Sequence, residues 1–206
     1  TNLKTVEIEN CESIVDVSGL DGIYDLTLRR CHNIKDISCL NHNYRITIAD
    51  CNWICDLSKS LRESCCITLE DLQLEFLPVF PSVKSLSLHS LRLQNSLTTM
   101  VLSKSLIFLS LIDTEGIESF GPNNLQKVSI RYCKNFKSLE NMANIRTIEL
   151  VSLNLTSLSG LGANNKIVRL KEMKSLEDIS ALKDCVNVWI LNCGKKLLEA
   201  YNNLEH

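Results

Sequence analysis

The sequence predicts an α/β-type solenoid, in which about ten short repeats of one strand and one run of turns stack along a single axis. Three observations lead to this fold class. One apolar position recurs every 19 to 23 residues along nearly the whole chain. The residues around it alternate between apolar and polar, and the segment that follows places an apolar residue at every third position.

The recurring position emerges when the chain is compared with itself. Residues 3–20 read LKTVEIENCESIVDVSGL and residues 23–40 read IYDLTLRRCHNIKDISCL, so the same frame returns after 20 residues. Such a period indicates a repeat architecture, because each unit buries its apolar face only against its neighbours. The spacing is least regular over residues 72–108, where we expect an irregular middle. The recurring apolar position is occupied by Val6, Leu26, Ile46, Ile67, Leu86, Leu109, Val128, Ile148, Val168 and Val188.

Each repeat has two halves with different periods. Segments such as VEI, LTL and ITI alternate apolar and polar residues, which is typical of a strand with one buried face. The second half places apolar residues three apart, as at Cys31, Ile34, Ile37 and Leu40, which suits 3₁₀ or extended turns whose side chains point inward. We therefore expect one parallel β-sheet on one face and turns on the other.

The strand and the residues after it follow the pattern L-x-x-L-x-L-x-x-(N/C), with Cys11, Cys31, Cys51, Cys133 and Cys193 at its last position. On this pattern residues 3–197 resemble the leucine-rich-repeat superfamily. The resemblance implies a curved solenoid with its sheet on the concave face, turns on the convex face, and recognition of proteins through the sheet. It also implies that the last position bonds backbone groups in the turn. Other repeats replace the cysteine, and there we expect backbone or water to supply these bonds; the replacements are Leu72, Leu91, Thr114, Leu153 and Met173.

The subfamily stays open, because tails such as DVSGL and DISAL look like short internalin-type repeats, whereas the cysteines look like those of longer repeats in eukaryotic adaptor proteins. The solenoid is expected over residues 1–197. Residues 198–203 form a possible helical cap, within a helical pattern over 195–203. Residues 204–206, Leu-Glu-His, read as the remnant of a purification tag.

The strand pattern also predicts which side chains face outward from the sheet. If Val6 and Ile8 point inward, Glu7 points outward, and six Thr or Ser residues follow it in the same column. Small residues suit a crowded strand face; the alternative is a flat groove lined with hydroxyl groups. Arg and aromatic residues are enriched at binding hot spots. The candidate protein-binding residues are therefore Tyr24, Arg29, Arg30, Phe108, Arg131, Tyr132, Arg169 and Trp189.

Charge and composition disfavour several classes of partner. The net charge is −2 and the pI about 6.1, and both signs are interleaved, so we expect no nucleic-acid partner. The longest apolar stretch, Leu106–Ile112, is too short to insert in a membrane. The start of the chain has no signal-peptide pattern, and at least half of the ten cysteines fall at positions that suit small buried residues. These features favour a cytoplasmic protein, with a secreted one as the alternative.

The sequence offers little chemistry. His89 and Glu70 are expected in one column of the sheet, which more often makes a surface ion pair than an acid–base site. No C-x-x-C pair exists, and the adjacent Cys65 and Cys66 would point to opposite faces of a strand. We therefore expect no catalytic residue, no metal, no cofactor and no enzymatic activity. Trp53 is expected to pack against the neighbouring loop.

The function expected from these features is binding of a partner protein, whose identity stays open, through the concave sheet. Two alternatives remain. The chain is the target-recognition arm of a larger effector or ubiquitin-ligase-type protein, or it is a secreted or cell-surface adhesion module, which paired cysteines or a glycan at the Asn154 acceptor pattern would favour.

Overall fold

A computed structural model describes residues 3–51, 53–54, 56–97 and 99–204. The chain forms two compact units, the first comprising Thr1–Asn95 with Ser103–Leu106 and the second Ser96–Leu102 with Ile107–His206. The strands are β1 Thr5–Glu9, β2 Asp25–Arg29, β3 Arg45–Ala49, β4 Cys66–Glu70, β5 Gln73–Leu74, β6 Ser85–His89, β7 Arg92–Leu97, β8 Phe108–Ile112, β9 Glu115–Ile117, β10 Lys127–Arg131, β11 Thr147–Val151, β12 Ile167–Lys171 and β13 Asn187–Leu191.

The first unit is a stack of repeats joined by one parallel sheet. Strands β1, β2, β3, β4 and β6 pair in that order. Their register aligns the recurring apolar position of each repeat with that of the next, as predicted. The aligned row consists of Val6, Leu26, Ile46, Ile67 and Leu86.

The second unit repeats this arrangement. Strands β8, β10, β11, β12 and β13 pair in parallel and in chain order. Leu109 is aligned with Val128, and the row continues through Ile148, Val168 and Val188. The period of about 20 residues is thus confirmed as the repeat of a parallel-stranded β-solenoid.

The core of each unit consists of aliphatic rows. Leu26, Ile46, Val128 and Ile148 are fully buried, because each pleated strand presents its apolar side to the layer above and below it. Burying one such side chain stabilises the fold by about 1.5–3 kcal/mol before entropy is counted. The apolar turn residues that lie three positions apart, such as the buried Ile34, line the side of the core opposite the sheet.

The main strand of each repeat is the one that carries the recurring apolar position, namely β1, β2, β3, β4, β6, β8, β10, β11, β12 or β13. The residue that follows each main strand has a left-handed backbone. Its φ lies between 47° and 59° in all ten repeats, although none of these residues is glycine. In eight repeats its N–H donates a hydrogen bond of 2.9–3.0 Å to the last strand carbonyl of the following repeat. These residues are Asn10, Arg30, Asp50, Asp71, Ser90, Asp113, Tyr132, Ser152, Glu172 and Asn192.

The cysteines of the repeated pattern bond backbone in the turn, as the resemblance implies. The thiols of Cys31 and Cys51 each donate to the carbonyl two residues earlier, with 3.3 Å from Sγ to O. The Thr114 hydroxyl makes the same bond to Ile112 O at 3.2 Å. Threonine therefore replaces cysteine directly there, and the expectation that backbone or water supplies this bond is wrong at Thr114. The nine described cysteines are free thiols, and Cys55 lies outside the described residues.

The fold is mostly β rather than α/β. The described residues contain two short 3₁₀ helices, Ser18–Leu20 and Ser180–Asp184, and one α-helix, α1, over Lys195–Asn202. Most turns are extended, because triplet-spaced apolar residues reach the core without a helix. Helix α1 lies where the sequence predicts one; its role as a cap stays a prediction, and residues 205–206 lie outside the described residues.

The irregular middle is confined to the turn half of the repeats. Ile67 of β4 still pairs with Leu86 of β6 in the main sheet. On the turn side, the short strand β5 pairs with β7, aligning Gln73 with Arg92. The variable spacing of this region thus changes the turns and leaves the strand register of the first unit intact.

Candidate functional site

Each sheet has an outer face, which we define as the outward strand side chains together with the residues directly before and after each strand. This is the surface on which the candidate binding residues were placed by sequence. Tyr24, Arg29 and Arg30 belong to the outer face of the first unit. The outer face of the second unit carries Phe108, Arg131, Tyr132, Arg169 and Trp189.

Ion pairs between repeats hold the charged side chains of the first unit's outer face. Arg29 reaches Glu70 with 3.4 Å from Nη2 to Oε2, passing the small, buried Ala49 that separates them in the row. Arg30 pairs with Glu9, and a third pair joins Arg45 to Asp25 in the same unit. Exposed pairs of this kind each contribute about 0–1 kcal/mol, so their main effect is to position the guanidinium groups.

Two tyrosines stack at the edge of the same face. The Tyr24 and Tyr44 rings lie with centroids 4.7 Å apart and planes at 6°. Their positions before β2 and β3 are equivalent, since Arg45 N donates to Tyr24 O at 2.8 Å. Both rings remain exposed. The repeat therefore builds an aromatic ridge where the sequence singled out Tyr24 alone.

A three-residue hydrogen-bond network occupies the second unit's outer face. Glu149 Oε2 accepts from Arg131 Nη2 at 2.7 Å and from Ser129 Oγ at 2.9 Å, and Arg131 Nε donates to Ser129 Oγ at 3.1 Å. Burial alone would raise the pKa of the Glu149 carboxyl, but the hydrogen bonds from Arg131 and Ser129 outweigh it and lower that pKa. Glu149 therefore stays ionised and fixes Arg131.

Cation–π contacts hold three further candidates, Phe108, Arg169 and Trp189. The Arg169 guanidinium lies 4.7 Å from the centroid of the Trp189 ring, and Lys127 Nζ lies 5.2 Å from that of Phe108. Each contact contributes about 0.5–1 kcal/mol at an exposed site. Arg169 and Trp189 are aligned neighbours on β12 and β13, so the structure brings these two candidates together. Tyr132 is exposed at the end of β10.

The column of small hydroxyl residues forms no open groove in the second unit. Ser110 and Ser129 are buried there, because Ser129 lies beneath the Arg131 guanidinium that it bonds. In the first unit, Thr27, Thr47 and Thr68 are half-buried. Small residues in this column therefore allow larger neighbours to cover the sheet.

The pair of His89 and Glu70 lies in register on β6 and β4, as predicted. The Glu70 carboxylate contacts Arg29. In the described part of the chain, no three His, Cys, Asp or Glu side chains come together as a metal site requires. Within the same residues, no helix has the length and apolar character needed to cross a bilayer.

Two placements differ from the sequence analysis or were missed by it. Trp53 is 61% exposed in its turn, so the expectation that it packs against a loop is wrong. The sequence analysis did not single out His42, whose Nδ1 lies 2.6 Å from Asp21 Oδ2 and whose Nε2 lies 3.8 Å from Glu63 Oε2. The signal was the spacing of 21 residues between Asp21, His42 and Glu63, which places one in each of three successive repeats.

Comparisons with known proteins do not assign this chain to a family. A scan of protein-family models, a search of curated proteins and a search of solved structures each find no match to this chain.

Proposed function

We propose that this chain is a protein-binding module of the leucine-rich-repeat kind, and that it acts by binding rather than by catalysis. The observation that carries the proposal is the outer face of the second unit, where Arg131, Arg169 and Trp189 are held by neighbours and yet reach solvent. Fixed Arg and aromatic side chains lose little entropy on binding, which favours their use as anchors.

The scaffold supports the proposal on a second ground. Parallel strands in register, each bonded to the next repeat, present these side chains on rigid backbone. Binding surfaces of this kind change little between the free and bound states. The partner is a protein, because the surface combines ionic, aromatic and aliphatic groups, as protein interfaces do.

Affinity capture with matched variants tests the proposal. The outer-face variant Arg169→Ala/Trp189→Ala removes one cation and one tryptophan from the sheet. The control variant Lys183→Ala/Trp53→Ala likewise removes one cation and one tryptophan, from exposed positions on the turn side. We expect a protein captured by the unmodified chain to be lost on the outer-face variant and retained on the control.

The opposite pattern, in which the captured protein is lost only on the turn-side control, would place binding on the turns and contradict the proposal. Circular dichroism of both variants checks that each remains folded.

A further inference from the structure

The outer face of the second unit is basic, although the chain as a whole is acidic. The five strands of this face, each with the residue before and after it, cover residues 107–113, 126–132, 146–152, 166–172 and 186–192, which contain six basic and three acidic side chains, a net charge of +3. The whole chain has 22 basic and 24 acidic residues. The basic residues are Lys127, Arg131, Arg146, Lys166, Arg169 and Lys171, and the acidic residues are Asp113, Glu149 and Glu172.

The corresponding face of the first unit differs in charge. Residues 4–10, 24–30, 44–50, 65–71 and 84–90 contain five basic and six acidic side chains, a net charge of −1. Three of the five cations there are bonded to carboxylates of the same face. The positive charge is therefore a property of the second unit and does not follow from the repeat itself.

Four of the six cations are close together on two neighbouring strands. Arg146 precedes β11 and Lys166 precedes β12, and Lys166 N donates to Arg146 O at 2.9 Å, which places the two residues side by side. Arg169 and Lys171 follow on the outward side of β12. Strand geometry sets neighbours in this group about 5–10 Å apart. All four side chains are exposed.

The carboxylates of this face leave the cluster only partly neutralised. Glu149 is bound to Arg131 and Ser129, and Glu172 lies 3.5 Å from Lys171 Nζ. Within the described residues, Arg146 and Lys166 have no carboxylate at ion-pair distance. Like charges held on a rigid sheet repel, so a ligand that supplies carboxylates is attracted there.

We propose that the cluster of Arg146, Lys166, Arg169 and Lys171, together with Trp189, binds an extended acidic segment of a partner protein. This inference rests on the proposed function and deepens it by naming the chemistry of the partner. Carboxylates of the segment pair with the four cations. An aromatic or aliphatic side chain of the segment packs beside Trp189 and the exposed Leu191.

A peptide fits this face better than a nucleic acid does. Glu149 and Glu172 lie among the cations, and a nucleic acid carries a charge at every phosphate, so it would bring some phosphates next to these carboxylates. A peptide spaces its carboxylates with neutral residues and avoids them.

Fluorescence anisotropy with defined probes tests this inference. The probe is a labelled twelve-residue peptide of repeated Asp-Glu-Phe-Gly units, and its control replaces every Asp and Glu by Asn and Gln. The variant Arg146→Glu/Lys166→Glu reverses two cations of the cluster. The variant Lys134→Glu/Lys183→Glu makes the same change in net charge at exposed positions on the turn side of the same unit.

We expect the acidic peptide to bind and the amide peptide to bind at least about tenfold more weakly. The cluster variant should weaken acidic-peptide binding by about tenfold or more, and added salt should weaken it further, whereas the turn variant should stay within about twofold. Equal weakening by both variants would show that only net charge matters and would overturn the inference. A labelled oligo(dT) that binds more tightly than the peptide would overturn it too.

The two proposals fail separately. Loss of captured protein on Arg169→Ala/Trp189→Ala, combined with no binding of the acidic peptide, would reject the acidic partner and leave binding through the outer face standing. If the outer-face variant retains the captured protein and the acidic peptide also does not bind, both the outer-face binding and the acidic partner segment are rejected.

Discussion

Left-handed backbone recurs in this protein at residues that rarely adopt it. A non-glycine residue in this conformation costs roughly 1–2 kcal/mol, and Asn and Asp tolerate it best. Arg30, Tyr132 and Glu172 adopt it as well, because the same turn must follow each strand if its N–H is to reach the next repeat. Tyr132 and Arg30, two of the candidate binding residues, are therefore fixed in direction by the repeat.

Replacement of Gly160 should damage the fold. Its φ is +109°, and an added Cβ would lie 2.4 Å from the Leu139 carbonyl oxygen. We expect Gly160→Ala to lower the free energy of unfolding by about 2–4 kcal/mol. Gly162→Ala is the control, since its Cβ would meet Ala143 Cβ at an ordinary 3.5 Å. Urea unfolding of both variants measures the difference, and equal losses would contradict this account of the turn.

His42 should make stability depend on pH. The hydrogen bond that His42 donates to the Asp21 carboxylate, together with the charges of Asp21 and Glu63, raises the pKa of the His42 imidazole. Protonated His42 thus stabilises the fold fully below its ordinary pKa of about 6.5, and this contribution is lost as the pH rises through the raised value. For Asp21, burial opposes ionisation, but the hydrogen bonds from His42 and Asn41 prevail and lower the pKa of its carboxyl.

The variant His42→Gln isolates this effect. We expect it to be less stable than the unmodified chain below about pH 6 and to approach it above about pH 8. Thermal unfolding at both values measures the difference, and NMR titration of His42 in Asp21→Asn should show its pKa falling. A stability difference that grows with pH would have the wrong sign and would contradict the assigned contacts.

At the scale of the element, two buried asparagines tie the turns between repeats together. Asn165 Nδ2 donates to Met142 O at 2.9 Å and to Ile145 O at 2.6 Å, and its Oδ1 accepts from Gly162 N at 2.6 Å. Asn43 Nδ2 donates in the same way to two carbonyls of the preceding repeat. Its Oδ1 is buried without a partner within the described residues. The Asn165 amide therefore makes three hydrogen bonds to backbone groups, whereas the Asn43 amide makes two.

Replacing each asparagine by leucine should reveal this difference. Asn165→Leu leaves three backbone groups without their partner, and Asn43→Leu leaves two while removing an unsatisfied oxygen. At about 1–3 kcal/mol for each buried group left unpaired, Asn165→Leu should be the more destabilising by at least about 1 kcal/mol. Chemical denaturation of the two variants tests the order. An equal or greater loss at Asn43 would contradict these bonds.

Strands were easier to predict than turns. Alternation around positions such as Val6 and Ile148 fixes both the strand and its register, because a shift by one residue would expose the whole apolar row. The turns carry weaker signals. Asn43 and Asn165 occupy a position that is apolar in most repeats, where a polar residue indicates a backbone partner. The Asp-x-Ser triplets are a second signal in the turns, because an Asp side chain often accepts a hydrogen bond from the backbone two residues later. Asp36 Oδ1 accepts from Ser38 N at 2.8 Å, and Asp16 does the same for Ser18.

At the scale of the whole molecule, the repeat separates the side chains that form the core from those that line the outer faces. Inward rows are nearly uniform in chemistry, whereas the outer columns vary from strand to strand. Sequence placed Arg131 and Trp189 on the outer face because the period fixes direction. It gave no indication that Arg131 would cover Ser129 or that Arg169 would lie over Trp189, since those contacts depend on side-chain conformation across strands.

Photo-crosslinking from the two faces tests most directly the central claim that the outer face binds a protein. The photoreactive residue p-benzoylphenylalanine replaces Tyr132 on the outer face in one variant and Trp53 on the turn side in another, and both native side chains are exposed aromatics. Each variant is irradiated in a lysate that yields a captured protein. We predict a crosslinked product from position 132 and none from position 53. Crosslinking from position 53 alone, or from neither position, would contradict the claim.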